Sequence, residues 1–391
     1  MKIALANFSK MVGDTGGFAK VFSAFANEMT RRGHQVTMIY SDDCQGEFFY
    51  PVADDVRVYN LRYCNGTKIL FPTWMKIKRE LLRAIDTRKG RGVNDEFHEK
   101  YLLSNLKTIL KETQPDIIVS FHPMASKIII CDLETDIPVI TMSHGDPEDY
   151  FHTYPVEEIP AIERSTANQV LLPSFVKPLR QRYPHLRVEV IGNVVPQYEE
   201  PADLAAPKSR YKILFVGRLV RGHKQPHLLV EAFCRLADEF PQWDVELWGA
   251  DDKVSFTKSM QRKIDQAGLH DRIVFKGTTR DVASVLRQGD IFAFPSAYEG
   301  WGLSLTEAMS MGLPAVGLQS CVAVNEIIKD GETGILTSDG ATAYAEGLRT
   351  LMENVDARKR MGAAARESMR PYSAEAIWGK WEALLKDCVA V

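Results

Sequence analysis

Cysteine is scarce and scattered. Six residues (Cys44, Cys64, Cys131, Cys234, Cys321 and Cys388) stand far apart in 391 positions, with no CxxC pair and no Cys/His cluster at metal-ligand spacing. That excludes a disulfide-stapled scaffold and a structural zinc site, and the thiols read as reduced. Long apolar runs are missing as well. No stretch reaches the roughly 18 residues a spanning helix needs, and the opening run Ile3, Ala4, Leu5, Ala6 stops at Asn7, too short for a signal-peptide core. The expectation is a cytoplasmic protein, at most peripheral at the inner face of a membrane. Neither sign of charge is in excess: 48 Lys and Arg against 51 Asp and Glu leave a formal net charge of −3. A globally basic nucleic-acid binder is thereby excluded, and any polyanion must be bound locally.

What the chain does contain is 45% hydrophobic residues, enough for two domains with a core each. Short Val- and Ile-rich runs alternate with longer helical patterns, the pattern of stacked βαβ units with parallel sheets. In the first half strands are expected at residues 2–7, 35–40, 56–61, 116–121, 139–144, 169–173 and 188–192. The alternation pauses over Pro196–Ser209 (PQYEEPADLAAPKS), whose prolines and acids suit an exposed linker. It resumes with strands at 211–216, 244–248, 272–276, 290–294, 314–318 and 334–337. The fold class is therefore α/β: two Rossmann-like, doubly wound domains facing across a cleft. The first is expected over 1–195, the linker over 196–209, the second domain over 210–370, and a closing helix over 371–391 that is long enough to cross back to the first. Ligands of such sheets bind beyond the carboxyl ends of the strands, so the chemistry belongs in the strand-to-helix loops.

The most informative of these loops is Pro295-Ser296-Ala297-Tyr298-Glu299-Gly300-Trp301-Gly302-Leu303-Ser304-Leu305-Thr306-Glu307-Ala308-Met309-Ser310-Met311-Gly312-Leu313-Pro314. It follows a buried strand and opens a helix. Gly300 and Gly302 let the backbone approach a ligand, the helix start favours an anion, and Glu299 and Glu307 can accept from sugar or ribose hydroxyls. A purely structural reading competes with this one, because Ser304 and Glu307 have the spacing of a capping box and Glu299 could be a solvated loop acid. Arg218 and Lys224 follow the first strand of the second domain, where cations would neutralise charge on a leaving phosphate; as surface cations they would need no role. His144 ends a strand in Ser143-His144-Gly145-Asp146. The loop Val12-Gly13-Asp14-Thr15-Gly16-Gly17 could cradle a diphosphate with its amides or be a tight turn, and it lacks the G-x-G-x-x-G order. Adjacent acids (Asp42-Asp43, Asp54-Asp55, Asp251-Asp252) form no Asp-x-Asp pair, so neither a catalytic metal nor another cofactor is expected.

The two carboxylates seven residues apart inside E-G-aromatic-G-L-x-x-x-E-A-M-x-x-G-x-P resemble the signature of the retaining GT-B glycosyltransferases, in particular glycosyltransferase family four. The resemblance extends over Phe215-Val216-Gly217-Arg218-Leu219, Lys276-Gly277 and Asn325-Glu326-Ile327-Ile328. In the first domain it rests on Gly16-Gly17, Gly33-His34 and His144. It implies a metal-independent hexosyltransferase that moves a sugar from a nucleotide sugar, by habit a UDP-sugar, to a glycan or lipid-linked acceptor in polysaccharide or glycoconjugate synthesis. By the same resemblance Glu307 holds the ribose, and Glu299 with Gly300, Trp301, Gly302 and Leu303 holds the donor sugar and diphosphate. Arg218 and Lys224 would stabilise the leaving phosphate, His144 would contact the sugar, and the backbone around Thr279 would read the base. Here Gly222-His223 precede Lys224 and Gln225 follows it, one residue longer than the family's usual spacing. A sugar phosphorylase or epimerase on the same fold, and a noncatalytic nucleotide-sugar-binding protein, are alternatives. An oxidoreductase built on residues 13–17 would need Asp42 or Asp43 free to close the second strand.

Residues 71–91 form a basic amphipathic stretch. Lys76, Lys78, Arg79, Arg83, Arg88, Lys89 and Arg91 oppose only Glu80 and Asp86, while Trp74, Ile77, Leu81 and Ile85 recur at helical spacing. Such a helix could lie on an anionic membrane surface or pack its stripe on its own domain.

Overall fold

The computed structural model describes residues 1–64, 66–251 and 253–390, with only the backbone of Cys64. Asp252, half of one acidic pair considered above, lies outside the described residues. Fifteen strands follow in chain order: β1 Lys2–Asn7, β2 Gln35–Tyr40, β3 Arg57–Asn60, β4 Tyr63–Cys64, β5 Thr67–Lys68, β6 Ile117–Ser120, β7 Val139–Met142, β8 Ala167–Val170, β9 Val188–Val190, β10 Tyr211–Val216, β11 Trp243–Trp248, β12 Ile273–Gly277, β13 Ile291–Phe294, β14 Ala315–Leu318 and β15 Gly334–Thr337. Apart from the short antiparallel pair β4–β5 they form two parallel sheets, ordered β3-β2-β1-β6-β7-β8-β9 and β12-β11-β10-β13-β14-β15. In each, the order reverses beside the first strand, between β1 and β6 and between β10 and β13. These reversals are the switch points at which doubly wound sheets bind ligands.

The chain divides into two compact units, Met1–Gly192 with the chain from Trp378 onward, and Asn193–Ile377. Each has its own apolar core. One gathers Ala4, Ile39, Phe97 and Ile118; the other gathers Phe215, Phe233, Leu247 and Tyr344. The strands are near-continuous apolar runs because helices cover both faces of a parallel sheet.

Two expectations are corrected and one holds. Strand β8 ends at Val170 although the apolar run continues; Leu171 and Leu172 are buried without extending the ladder, and Pro173 opens a short helical turn. Residues 196–209, although mostly exposed, are not a free-standing linker. Ala202 and Leu204 are buried, the Ala202 amide donates to Met311 O, and Arg366 donates to the Tyr198 and Glu199 carbonyls, so the segment belongs to the second unit. The closing helix, Ala374–Val389, begins in the second unit and ends in the first, as its length led us to expect. Trp378 and Trp381 meet Phe25 edge-on at 5.4 and 4.9 Å, and Glu382 accepts from Arg32 at 3.1 Å.

Among the described residues no helix is long and apolar enough to cross a membrane. The five cysteines whose side chains are described are unbridged.

Candidate active site

In the second unit the loops after β10 and β13 leave neighbouring strands, since Ile213 pairs with Ile291 and Leu214 with Phe292. Their side chains therefore emerge together at the switch point. Lys224 Nζ donates to Glu299 Oε1 at 2.5 Å, and both side chains are largely withdrawn from solvent, at 19% and 10% exposure. The ammonium also stands 5.0 Å from the centre of the Phe294 ring. The Lys224 stem lies over Gly217, where an added Cβ would sit 3.6 Å from Cδ. The two loops are tied by the Ala297 amide donating to His223 O at 2.8 Å and by an edge contact between His223 and Tyr298. His223, in the lengthened stretch before Lys224, thus supplies a loop-to-loop bond, and Lys224 still reaches the acid. Arg218 is exposed at the mouth of the same loop.

The helix Leu303–Ser310 starts at Gly302, whose φ of 81° is left-handed and whose missing side chain leaves room for Phe294. No side chain caps this helix, and Ser304 sits inside its first turn instead of at the cap. The capping-box reading of Ser304 and Glu307 is therefore excluded. Glu307 is 5% exposed in the middle of the helix. Burial, and after it the Glu307 charge, raises the Tyr198 hydroxyl well above the ordinary tyrosine range. Trp301 is buried edge-on against Tyr372, and its indole Nε1 has no partner. Thr279 lies apart from this group, in the loop after β12, where its hydroxyl accepts from the Asp281 amide.

Gly249, which sequence reasoning missed, shapes the floor. Val216 and Trp248 are register partners, so Gly217 and Gly249 follow side by side. An added Cβ on Gly249 would fall 1.9 Å from Gly217 O, and its φ of 151° suits glycine alone. Two adjacent strands each ending in glycine were the available signal.

The first unit contributes a separate group. His144 lies two residues beyond β7, in a loop, with its ring 4.5 Å from Phe18 and 5.4 Å from Phe121. Burial lowers its pKa to about 4, so it is neutral at physiological pH, and its Nε2 is buried without a partner. Phe18 follows Gly16 and Gly17, which open helix α1 (Gly17–Arg31), so this contact places both glycines near His144. The preceding loop is largely committed. Asp42 accepts from the Met11, Val12 and Cys44 amides, and Asp14 accepts from the Gly16 amide. The amides of Val12 and Gly16 thus already donate within the loop, and the Asp42 carboxylate is engaged by backbone, which leaves the exposed Asp43 as the one acid open to a ribose at the end of β2. Asp42, Asp43 and Cys44 are the one group of metal-ligand type close together among the described residues, and Asp42 is already spent on backbone.

Comparison with known proteins agrees with this architecture. The model of the glycosyl transferases group 1 matches residues 196–368, and that of glycosyltransferase family 4 matches residues 15–196. The D-inositol 3-phosphate glycosyltransferase of Corynebacterium glutamicum is 27% identical over 97% of this chain and 93% of its own. The chain spans about half, 52%, of an uncharacterized glycosyltransferase of Haemophilus influenzae at 26% identity. Among solved structures, sucrose-phosphate synthase from Thermosynechococcus elongatus superposes with a TM-score of 0.77 at 17% identity, covering 100% of this chain and 99% of its own. Anabaena HepE in complex with UDP-glucose superposes with a TM-score of 0.71 at 16% identity, covering 99% of this chain and 100% of its own. The chain belongs to the group 1 glycosyltransferases with the two-domain GT-B fold.

Proposed function

We infer that the protein transfers a sugar from a nucleoside diphosphate sugar, a UDP-sugar first among them, to a hydroxyl of a glycan or lipid-linked acceptor, with retention at the anomeric carbon. The observation that carries this reading is the withdrawn Lys224–Glu299 pair at the switch point, beside an uncapped helix start at Gly302. In the transfer, the bond from the anomeric carbon to the diphosphate oxygen breaks and the bond to the acceptor oxygen forms on the same face. The acceptor proton passes to the leaving phosphate, so no protein nucleophile is needed. Lys224, paired with Glu299 before donor arrives, is available to the growing phosphate charge, and Arg218 supplies a planar fork at the rim. Glu299 then turns to sugar hydroxyls, and Glu307 accepts from the ribose.

The test is incubation with UDP-, GDP- and ADP-sugars and an acceptor panel, reading released nucleotide and the anomeric configuration of the product by NMR. Inverted product overturns the retaining assignment. Turnover is expected to survive EDTA, because the two cations take the metal's part at the diphosphate. Loss on chelation with recovery on adding Mg²⁺ or Mn²⁺ would replace that account.

A further inference from the structure

Helix α2 (Thr73–Ile85) turns its apolar stripe outward. It packs against α3 (Thr87–Phe97), with Met75 fully buried and Gly90 so close to Arg83 that an added Cβ would fall 2.9 Å from its Cα. At 100° per residue Met75 and Leu82 share the packed side, and Trp74, Ile77, Leu81 and Ile85 form a separate stripe about a quarter-turn round the helix. They are 48, 58, 64 and 78% exposed, and Leu70 just before the helix is 65% exposed. Among the described residues every large, exposed Leu, Ile and Trp lies in this one stretch; elsewhere only Val and Tyr are so exposed. Isolated exposed apolar residues need no explanation, but an aligned stripe of four with Leu70 just before it does.

The rim of the stripe is cationic. Lys78 pairs with Glu96, and Arg79 and Arg83 share Glu80. Lys76, Lys89 and Lys100 make no ion pair among the described residues, and Lys100 Nζ stands 5.6 Å from the centre of the Trp74 ring. Residues 71–91 carry seven cations against two acids. The stripe supplies apolar side chains to enter the acyl boundary, Trp74 an amphipathic ring suited to headgroup depth, and the lysines a complement to negative headgroups.

We propose that the outward face of α2, with Leu70, Trp74, Ile77, Leu81 and Ile85 and the nearby cations Lys78, Lys89 and Lys100, docks on an anionic lipid bilayer. The proposal does not depend on the sugar transfer and fails or stands apart from it. The test uses the full chain with phosphatidylglycerol/phosphatidylcholine vesicles and with vesicles of phosphatidylcholine alone. Three variants are compared: Ile77→Ser with Leu81→Ser and Ile85→Ser, Lys89→Glu with Lys100→Glu, and Trp74→Phe. All the altered side chains are exposed, so circular dichroism should match the parent. The parent is expected to co-sediment with anionic vesicles about tenfold better than with neutral ones and to be released by salt. Its fluorescence should shift to the blue, and Trp74→Phe should remove that shift. The triple serine variant should lose binding at every salt concentration, and the double glutamate variant chiefly at low salt. A parent that ignores anionic vesicles, or a serine variant that binds like the parent, overturns the proposal. So does a stripe that in sedimentation velocity serves only to pair two copies of the chain.

Discussion

Replacing Gly249 by alanine tests whether the approach of two strand ends builds the donor floor. The new Cβ would meet Gly217 O at 1.9 Å, more than 1 Å inside the 3.0 Å that real Cβ contacts respect, and the obstacle is backbone. Relief requires the ends of β10 and β11 to part. Parting them strains two bonds, from the Gly217 amide to Trp248 O and from the Leu219 amide to Ala250 O, both 2.9 Å. Each contributes about 1 kcal/mol, and forcing alanine into a glycine-only backbone region costs about 1–3 kcal/mol more. The sum, about 3–5 kcal/mol, is a large share of an ordinary domain's 5–15 kcal/mol. Two controls separate the clash from the loss of glycine as such. Gly268 has φ +68° with nothing within 4 Å, so Gly268→Ala should cost only the left-handed backbone term, about 1–2 kcal/mol. Gly222 has neither positive φ nor a neighbour, so Gly222→Ala should be near neutral. The assay is urea unfolding followed by tryptophan fluorescence, with Trp243, Trp248 and Trp301 in the second unit. Because Gly217 precedes Arg218, a displacement of about 1 Å should also lower turnover by about 10²-fold. Gly249→Ala no less stable than Gly268→Ala would refute the reasoning.

Glu307→Ala should weaken donor and free nucleoside diphosphate alike by about 1.5–3 kcal/mol, the worth of a charged hydrogen bond, because both ligands carry the ribose; calorimetry with UDP checks it, and unchanged affinity removes Glu307 from the site. Arg218→Ala should lower kcat by roughly 10² to 10³ if it meets charge on the leaving phosphate, and a near-normal rate would return it to the surface. Asp95 and Glu158, 5% and 3% exposed, are hydrogen-bonded carboxyls whose pKa values burial raises in both, their mutual repulsion raising Glu158 further, with Lys127 and Arg91 opposing. Raised folded-state pKa values mean that the native state binds more protons than the unfolded one, so stability falls as pH rises above the ordinary carboxylate range. Glu158→Gln keeps a neutral donor toward Asp95 and should flatten the decline in Tm between about pH 5 and about pH 9; parallel curves would show that the pair does not titrate with folding.

The parallel sheets were legible because their strands are buried on both faces and read as continuous apolar runs; β1, β2, β10 and β15 lie where those runs predict. The same signal failed at β8, where Leu171 and Leu172 are buried without belonging to the ladder, and composition cannot distinguish burial from pairing. Prolines and acids over 196–209 suggested exposure, yet Ala202 and Leu204 pack down, since a segment can be irregular in backbone and still bury its small apolar residues. Amphipathic spacing placed a helical stretch over residues 71–91, which the structure divides into Thr73–Ile85 and Thr87–Phe97, but could not say which way its stripe faces. That depends on a second periodicity, Met75 and Leu82, which carries the contact with α3.

The candidate site divides in the same way. Glu299, Lys224 and His144 were accessible to sequence reasoning because each sits in a loop just after a strand, and strand ends are where doubly wound folds gather chemistry. Their partners were not. Asp42 could be read as a free acid closing the second strand; only the return of residues 11 and 12 to it shows the carboxylate spent on amides. Gly249 reads as one glycine among 26 until Gly217 is seen beside it. In both cases the decisive partner is about thirty residues away and set by strand order. Because the β10–β11 and β1–β2 pairings are themselves consequences of the right-handed βαβ unit, a sequence reading that wrote out strand order first would bring Gly217 to Gly249 and residue 42 to the loop after β1. Strand order is therefore the intermediate from which the remaining chemistry of such a chain should be read.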